Sequence, residues 1–362
     1  MKALTISVLV LVTLFASAHA HSFYNAYSVI DAQRALYFLR SQYVEEAGLL
    51  RAAVGAYPDN TTIYVANDNV LAARALAVLG DGDLSSKILT KLNNEYGGGF
   101  NGRIEILFGV DIPDVFYTVK YDYIGEVNGF RILYEKPGDR VIEDWYKYAD
   151  LVVYRALDRL LWGSRPHAEL LFLNLTKMWS GYGFRDKAYE ATGVYDTYKC
   201  ALFIYLYRAL EVAGSDVVKD YVYIRNKCLE VIALAQDPET GGIRTNYRVV
   251  DGRIIIEGDV NVETTSIIVL ALYSDYPLLF SNIKQVNTAA RAYPLAESVA
   301  YMVLAVAMLA FTYKFVKAHL RKTMLLSFLI ARSRKPLFLL AFTPGLYISL
   351  ALPLQVISQV IH

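Results

Sequence analysis

The sequence predicts a mostly helical fold, built from helix pairs that stack into an array or a closed ring. Three observations predict it. A block in which an acid opens a long apolar run occurs three times, at 64–71, 194–201 and 260–267. Glycine turns of related spacing occur at Gly98-Gly99-Phe100, Gly181-Tyr182-Gly183 and Gly241-Gly242-Ile243. Connections such as Gly80-Asp81-Gly82 are so short that successive helices must be antiparallel neighbours. Helix pairs repeated in this way bury their apolar faces only against each other.

Taken in order, residues 1–20 form a secretory signal peptide. Lys2 precedes an apolar core, and Ala18-His19-Ala20 supplies the small-residue cleavage site. Residues 21–292 form one large extracytoplasmic domain, with helices expected over 26–53, 67–79, 83–95, 143–161, 166–179, 196–213, 216–235 and 263–274. Two β-hairpins interrupt them. β-rich sequence flanks Asn128-Gly129 and again Asp251-Gly252, dipeptides that favour tight hairpin turns. Residues 293–313 carry a single charge, Glu297, and are long enough to span a bilayer core of ~30 Å. The basic loop 314–335 marks the cytoplasmic side, which places the main domain outside the cell. A second apolar stretch, 336–361, is broken by Pro344, Gly345 and Pro353; it reads as a return span, with a kinked re-entrant segment as the alternative.

Net charge is +1 and no basic stripe lies outside the juxtamembrane loop, which argues against a nucleic-acid partner. The membrane itself, and an extracellular glycan or surface protein, are the partners that remain. The two cysteines, Cys200 and Cys228, lie equally far from the turn at Gly214 on paired helices, so they are level with each other across the pair. A disulfide is the expectation, with two buried free thiols as the alternative. Asn60 and Asn174 begin N-glycosylation patterns. No histidine cluster or thiolate cage is present, so neither a dedicated metal site nor a cofactor is expected.

Helical hairpins in series, with glycine turns leading into acid-started inner helices such as Glu263-Thr264-Thr265-Ser266-Ile267, resemble the α/α-toroid superfold. That group includes six-hairpin glycosidases, polysaccharide lyases, terpene cyclases and complement-type thioester domains. The resemblance covers roughly residues 25–275 and implies an α/α-toroid with two inserted β-hairpins and a central funnel. The sequence lacks the cysteine–glutamine pair of a thioester domain, the zinc set of a prenyltransferase and the acid motif of a terpene cyclase.

Asp68, Asp196 and Glu263 are the candidate catalytic acids, because all three open inner helices and would converge at one mouth of the ring. A glycosidase needs two such groups ~5–9.5 Å apart. Trp179, Tyr195, Tyr198 and Tyr247 are candidate stacking surfaces for sugar rings, with Arg185 and Arg244 beside them. Acids at helix starts are also ordinary caps. Two functions follow: a membrane-anchored surface protein that binds a glycan or partner in its funnel, or a membrane-tethered glycoside hydrolase or polysaccharide lyase. They differ in one property, since catalysis requires convergent carboxylates with unequal environments.

Overall fold

A computed structural model describes residues 29–55 and 60–281. The predicted signal peptide, the span 293–313, the basic loop and the second apolar stretch lie outside these residues. Among the described residues, no helix is long and apolar enough to cross a membrane.

Four helices fill the core, and their sequences explain why. Helices α2 (Asn67–Val78), α4 (Ala149–Leu161), α7 (Thr197–Val212) and α9 (Val262–Tyr273) are buried on nearly every side. A helix that is apolar all round has no face to offer water, so it must be surrounded. They pack in the order α2, α9, α7, α4. Three others, α3 (Gly82–Glu95), α5 (Arg165–Lys177) and α8 (Val222–Ala235), lie against α2, α4 and α7 respectively. These outer helices bury a single stripe, as with Ile224, Cys228, Val231 and Ala235 in α8. A first helix, α1 (Ala32–Ser41), leans on α9 and α2, and a single turn and a half, α6 (Lys187–Thr192), precedes α7.

Three small sheets complete the fold. Strands β1 (Tyr43–Val44) and β2 (Leu49–Leu50) pair antiparallel. Strand β3 (Thr62–Val65) lies parallel to β5 (Phe130–Val141), which pairs antiparallel with β4 (Tyr117–Val127). The third sheet has the order β6 (Tyr195–Asp196), β7 (Ile243–Val250), β8 (Arg253–Asn261). Both long hairpins turn through the dipeptides that predict them: Asn128 and Gly129 have φ of 51° and 82°, Asp251 and Gly252 have 50° and 75°.

The expectation of a mostly helical ring is corrected. Of the described residues 53% are helical and 22% are strand, distributed over three sheets. Two local causes stand out. The long helix expected over 26–53 stops at Ser41, because Gly48, at φ +65°, folds Leu49–Leu50 back on Tyr43–Val44. The short strands β3 and β6, which precede α2 and α7, dock on the hairpins and turn two-stranded ribbons into three-stranded sheets.

Cys200 of α7 and Cys228 of α8 form a disulfide, their Cα atoms 4.9 Å apart. It ties an inner helix to its outer partner across a separation of 28 residues.

Candidate functional site

Three inner helices carry an acid at their second residue: Asp68 in α2, Asp150 in α4 and Glu263 in α9. Asp196 stands just before α7, at its N-cap position, without a side-chain hydrogen bond to the helix. Unpaired N–H groups at a helix start favour carboxylates there. Because the four helices pack side by side, their first turns meet, and the acids act on one another. Asp68 feels Glu263 and Glu135; Glu263 feels Glu135, Asp150 and Asp196. Glu135 arrives from β5, where it faces Tyr121 of β4 across the ladder.

These acids occupy unequal environments. Burial, followed by the charges of Glu263 and Glu135, pushes the Asp68 carboxyl well above the usual carboxylate range. Burial also raises Glu263 to about 7, with Glu135 adding to the effect and the Asn67 amide opposing it. The Asn67 Nδ2 donates to Glu263 Oε1 at 3.0 Å. Glu135 is raised to about 7 as well, again by burial first, although Asn101 Nδ2 donates to its Oε1 at 2.8 Å. Glu263 is half-buried.

Asp196 is held differently. Its Oδ2 lies 2.7 Å from Lys199 Nζ, and its Oδ1 accepts from Asn246 Nδ2 at 2.9 Å. Lys199 is 3% exposed and also reaches Asp186 Oδ2 at 2.7 Å. Burial alone would lower the Lys199 ammonium, but Asp196, Asp150 and Asp186 outweigh it and hold it above its ordinary value. Asp186 is itself a junction: it accepts from the Ala149 N–H at the start of α4 and caps α6 through Tyr189.

Three tyrosines stand within electrostatic reach of the same acids. Burial comes first, then neighbouring acids, in raising the phenols of Tyr121, Tyr154 and Tyr198. Tyr121 is nevertheless 50% exposed, and the charges of Glu135, Asp68 and Glu263 reach its phenol. Its ring lies 5.1 Å from that of Tyr64 at a 38° tilt. The residue leading into α2, Ala66, has φ 89° and ψ −112°, a conformation that side chains disfavour, and it sets the position of Asn67 and Asp68.

Comparison with protein-family models, with curated proteins and with solved structures finds no match to this chain. The site is therefore read from its own chemistry. Among the described residues, no group of acids, histidines or cysteines is arranged to hold a metal ion.

Of the sequence candidates, Glu263 lies within electrostatic reach of Asp68 and Asp196, and Tyr198 within reach of Asp196 and Glu263. The other aromatics pack elsewhere. Trp179 meets Phe184 edge-on at 5.2 Å. Tyr195 stacks between Tyr189 and Tyr247, its hydroxyl shared with Ser180 and Arg185. Tyr247 is buried and donates to the Tyr182 carbonyl at 2.9 Å. Arg244 pairs with Asp237 at 2.6 Å, behind the second hairpin. Asn60 and Asn174 are both exposed, Asn174 on the outer face of α5. An open groove of about 860 Å³ runs along α3 beside Tyr43, Lys87 and Lys91, and its acids are Asp83 and Glu95, not Asp68, Glu135, Asp150, Asp196 or Glu263.

Sequence reasoning missed Asp150, Glu135, Asp186 and Lys199. Asp150 shares the helix-start position of Asp68 and Glu263, but the expected start of its helix at 143 hid that register. Lys199 stands three residues after Asp196, a helical spacing that brings the two side chains together. Glu135 reaches the other acids through strand pairing between distant segments, which no local pattern reports.

Proposed function

We propose that these acids form the active site of a glycoside hydrolase acting on extracellular glycans, carried at the cell surface by the apolar segment 293–313. One observation carries the catalytic reading: two carboxyl groups within electrostatic reach of each other have unlike surroundings. Glu263, raised to about 7, retains a proton near neutral pH, whereas Asp196 stands against the Lys199 ammonium at 2.7 Å and accepts from Asn246. In the reaction Glu263 gives its proton to the glycosidic oxygen as the C–O bond breaks. Water adds to the anomeric carbon and passes a proton to Asp196. Exchange with solvent restores both groups.

Charge favours hydrolysis over lyase chemistry. A lyase must neutralise a uronate carboxylate beside the proton it removes. Lys199 is consumed by Asp186 and Asp196, and Arg103 donates to the Tyr117 carbonyl. Neither cation is left over to meet a uronate carboxylate. The signal-peptide pattern and the disulfide support an extracytoplasmic setting.

A second reading, glycan binding without catalysis, is favoured by the placement of Asp68, Asp150 and Glu263, since the second residue of a helix is where a purely stabilising acid would stand. Incubating the full-length protein in mild detergent with a panel of neutral and amino oligosaccharides, followed by mass spectrometry, separates the two. Fragments that vanish in both Glu263→Gln and Asp196→Asn establish the hydrolase. An unchanged panel from folded protein leaves binding alone.

A further inference from the structure

The two glycosylation patterns end in opposite places in the fold. Asn60 stands exposed in the turn that leads into β3, and its side-chain amide has no hydrogen-bond partner among the described residues. Its carbonyl accepts from Arg51 Nη1 at 3.5 Å. Asn174 is exposed too, but it lies inside α5. There its Oδ1 accepts from Lys177 Nζ at 3.1 Å, and Thr176 Oγ1 donates to the Leu173 carbonyl at 2.9 Å. Phe172 and Leu175 beside it are buried, so offering residues 174–176 to an enzyme cleft means unwinding α5.

Timing separates the two further. In the finished fold Thr62 is 1% exposed and its hydroxyl accepts from Arg131 Nη2 at 2.8 Å, so the pattern at 60–62 is closed once β3 lies on β5. That partner lies 69 residues further along the chain. At a synthesis rate of about 5–20 residues/s it follows by roughly 3–14 s, and until then residues 60–62 have no β5 to join. Helix formation takes ~1 μs, and α4, against which α5 packs, is already made when α5 emerges. The pattern at 174–176 therefore closes almost as it appears.

We propose that Asn60 carries an N-linked glycan, attached before β3 docks on β5, and that Asn174 stays bare. The transfer joins Asn60 Nδ2 to the anomeric carbon of an oligosaccharide as that carbon's bond to the phosphate oxygen of a lipid-linked donor breaks; the amide gives one proton to the leaving phosphate. The finished turn leaves the modified side chain in solvent, where a bulky polar chain fits. The inference rests on export of the domain, which residues 1–20 predict.

Peptide mapping by mass spectrometry, on full-length protein isolated from the cells that make it, tests the proposal. The tryptic fragment 52–74 should carry the added mass of several sugar residues, and the fragment 160–177 none. Asn60→Gln and Thr62→Ala should each remove that mass; Asn60→Gln alters only an exposed turn, so a folding failure does not stand in for the loss. Arg131→Ala, which removes the bond to the Thr62 hydroxyl, should leave occupancy unchanged, whereas a rise would mean transfer onto the finished sheet and overturn the proposed order. A bare Asn60 in protein that begins at His21 overturns the proposal alone. A bare Asn60 in protein that still begins at Met1 overturns it together with the extracytoplasmic setting of the proposed hydrolase. Sugar on Asn174 in place of Asn60 overturns it as well.

Discussion

The two long hairpins are built alike and do opposite things. Each turns through a residue–glycine pair at positive φ, each gains a third short strand, and each precedes an inner helix. The second hairpin is saturated with internal partners. Asn246 donates to Asp196, Arg244 pairs with Asp237, and Tyr247 donates to the Tyr182 carbonyl. The first hairpin instead buries Glu135 with one oxygen unpartnered, and sets Tyr121 within electrostatic reach of Glu135, Asp68 and Glu263. Polar groups that complete one another within the chain hold a frame together. Those left incomplete are what a ligand would complete. The comparison sets a second hairpin with its polar groups partnered against a first that leaves one buried carboxyl oxygen without a partner.

Variants on the two sides should therefore differ in sign. The largest effect is expected from Lys199→Met on the saturated side. It leaves Asp186 and Asp196 without their cation, Asp186 being almost wholly enclosed, and should destabilise the domain by about 3–5 kcal/mol in urea unfolding. If that loss were below about 1 kcal/mol, the frame would not depend on this lysine and the contrast would collapse. Reducing the Cys200–Cys228 bridge, or replacing both residues with serine, should lower stability by roughly 3 kcal/mol, judged from the entropy of closing a loop spanning 28 residues.

On the incomplete side the sign reverses. Glu135 is raised from 4.5 to about 7, so the folded state holds a proton that the unfolded chain has lost between those values. Its contribution to stability is full below about pH 4.5 and declines as pH rises through about 7. Glu135→Gln fixes the neutral form and keeps the acceptor for Asn101. It should stabilise the domain by roughly 2 kcal/mol at pH 8 and by almost nothing near pH 4. A gain that is the same at both values would point to packing rather than protonation. The smallest effect is expected from Arg248→Ala, which removes an exposed pair with Glu257 on the second hairpin. A change under about 1 kcal/mol in the same assay would show that the frame resides in buried partners and not in surface charge.

Much of this arrangement is legible in the sequence, and what is not has a common cause. Asn128-Gly129 and Asp251-Gly252 announce the hairpins because a tight turn is a local event. The largely apolar runs after Asp68, Asp196 and Glu263 announce buried helices, since burial on all sides needs no knowledge of the neighbour. Failures begin where pairing is distant. Thr62–Val65 and Tyr195–Asp196 are too short to read as strands, and they become strands only through partners tens of residues away. Glu135 looks like one polar residue of an exposed ribbon, yet is buried within electrostatic reach of Asp68 and Glu263. Tyr195 and Tyr247 have the composition of a sugar platform but are spent on each other, and nothing in the sequence distinguishes a tyrosine facing a ligand from one facing another ring.

Ala66 carries a consequence of its own. Alanine occupies a backbone region where glycine would be at ease, at an expense of about 1–3 kcal/mol, and its carbonyl is pinned by the Val70 N–H as α2 begins. Asn67 and Asp68 thus hang from a preloaded joint rather than a slack one. Easing that joint would make the protein hardier and let the two side chains wander, so endurance and accuracy are set against each other at a single small residue.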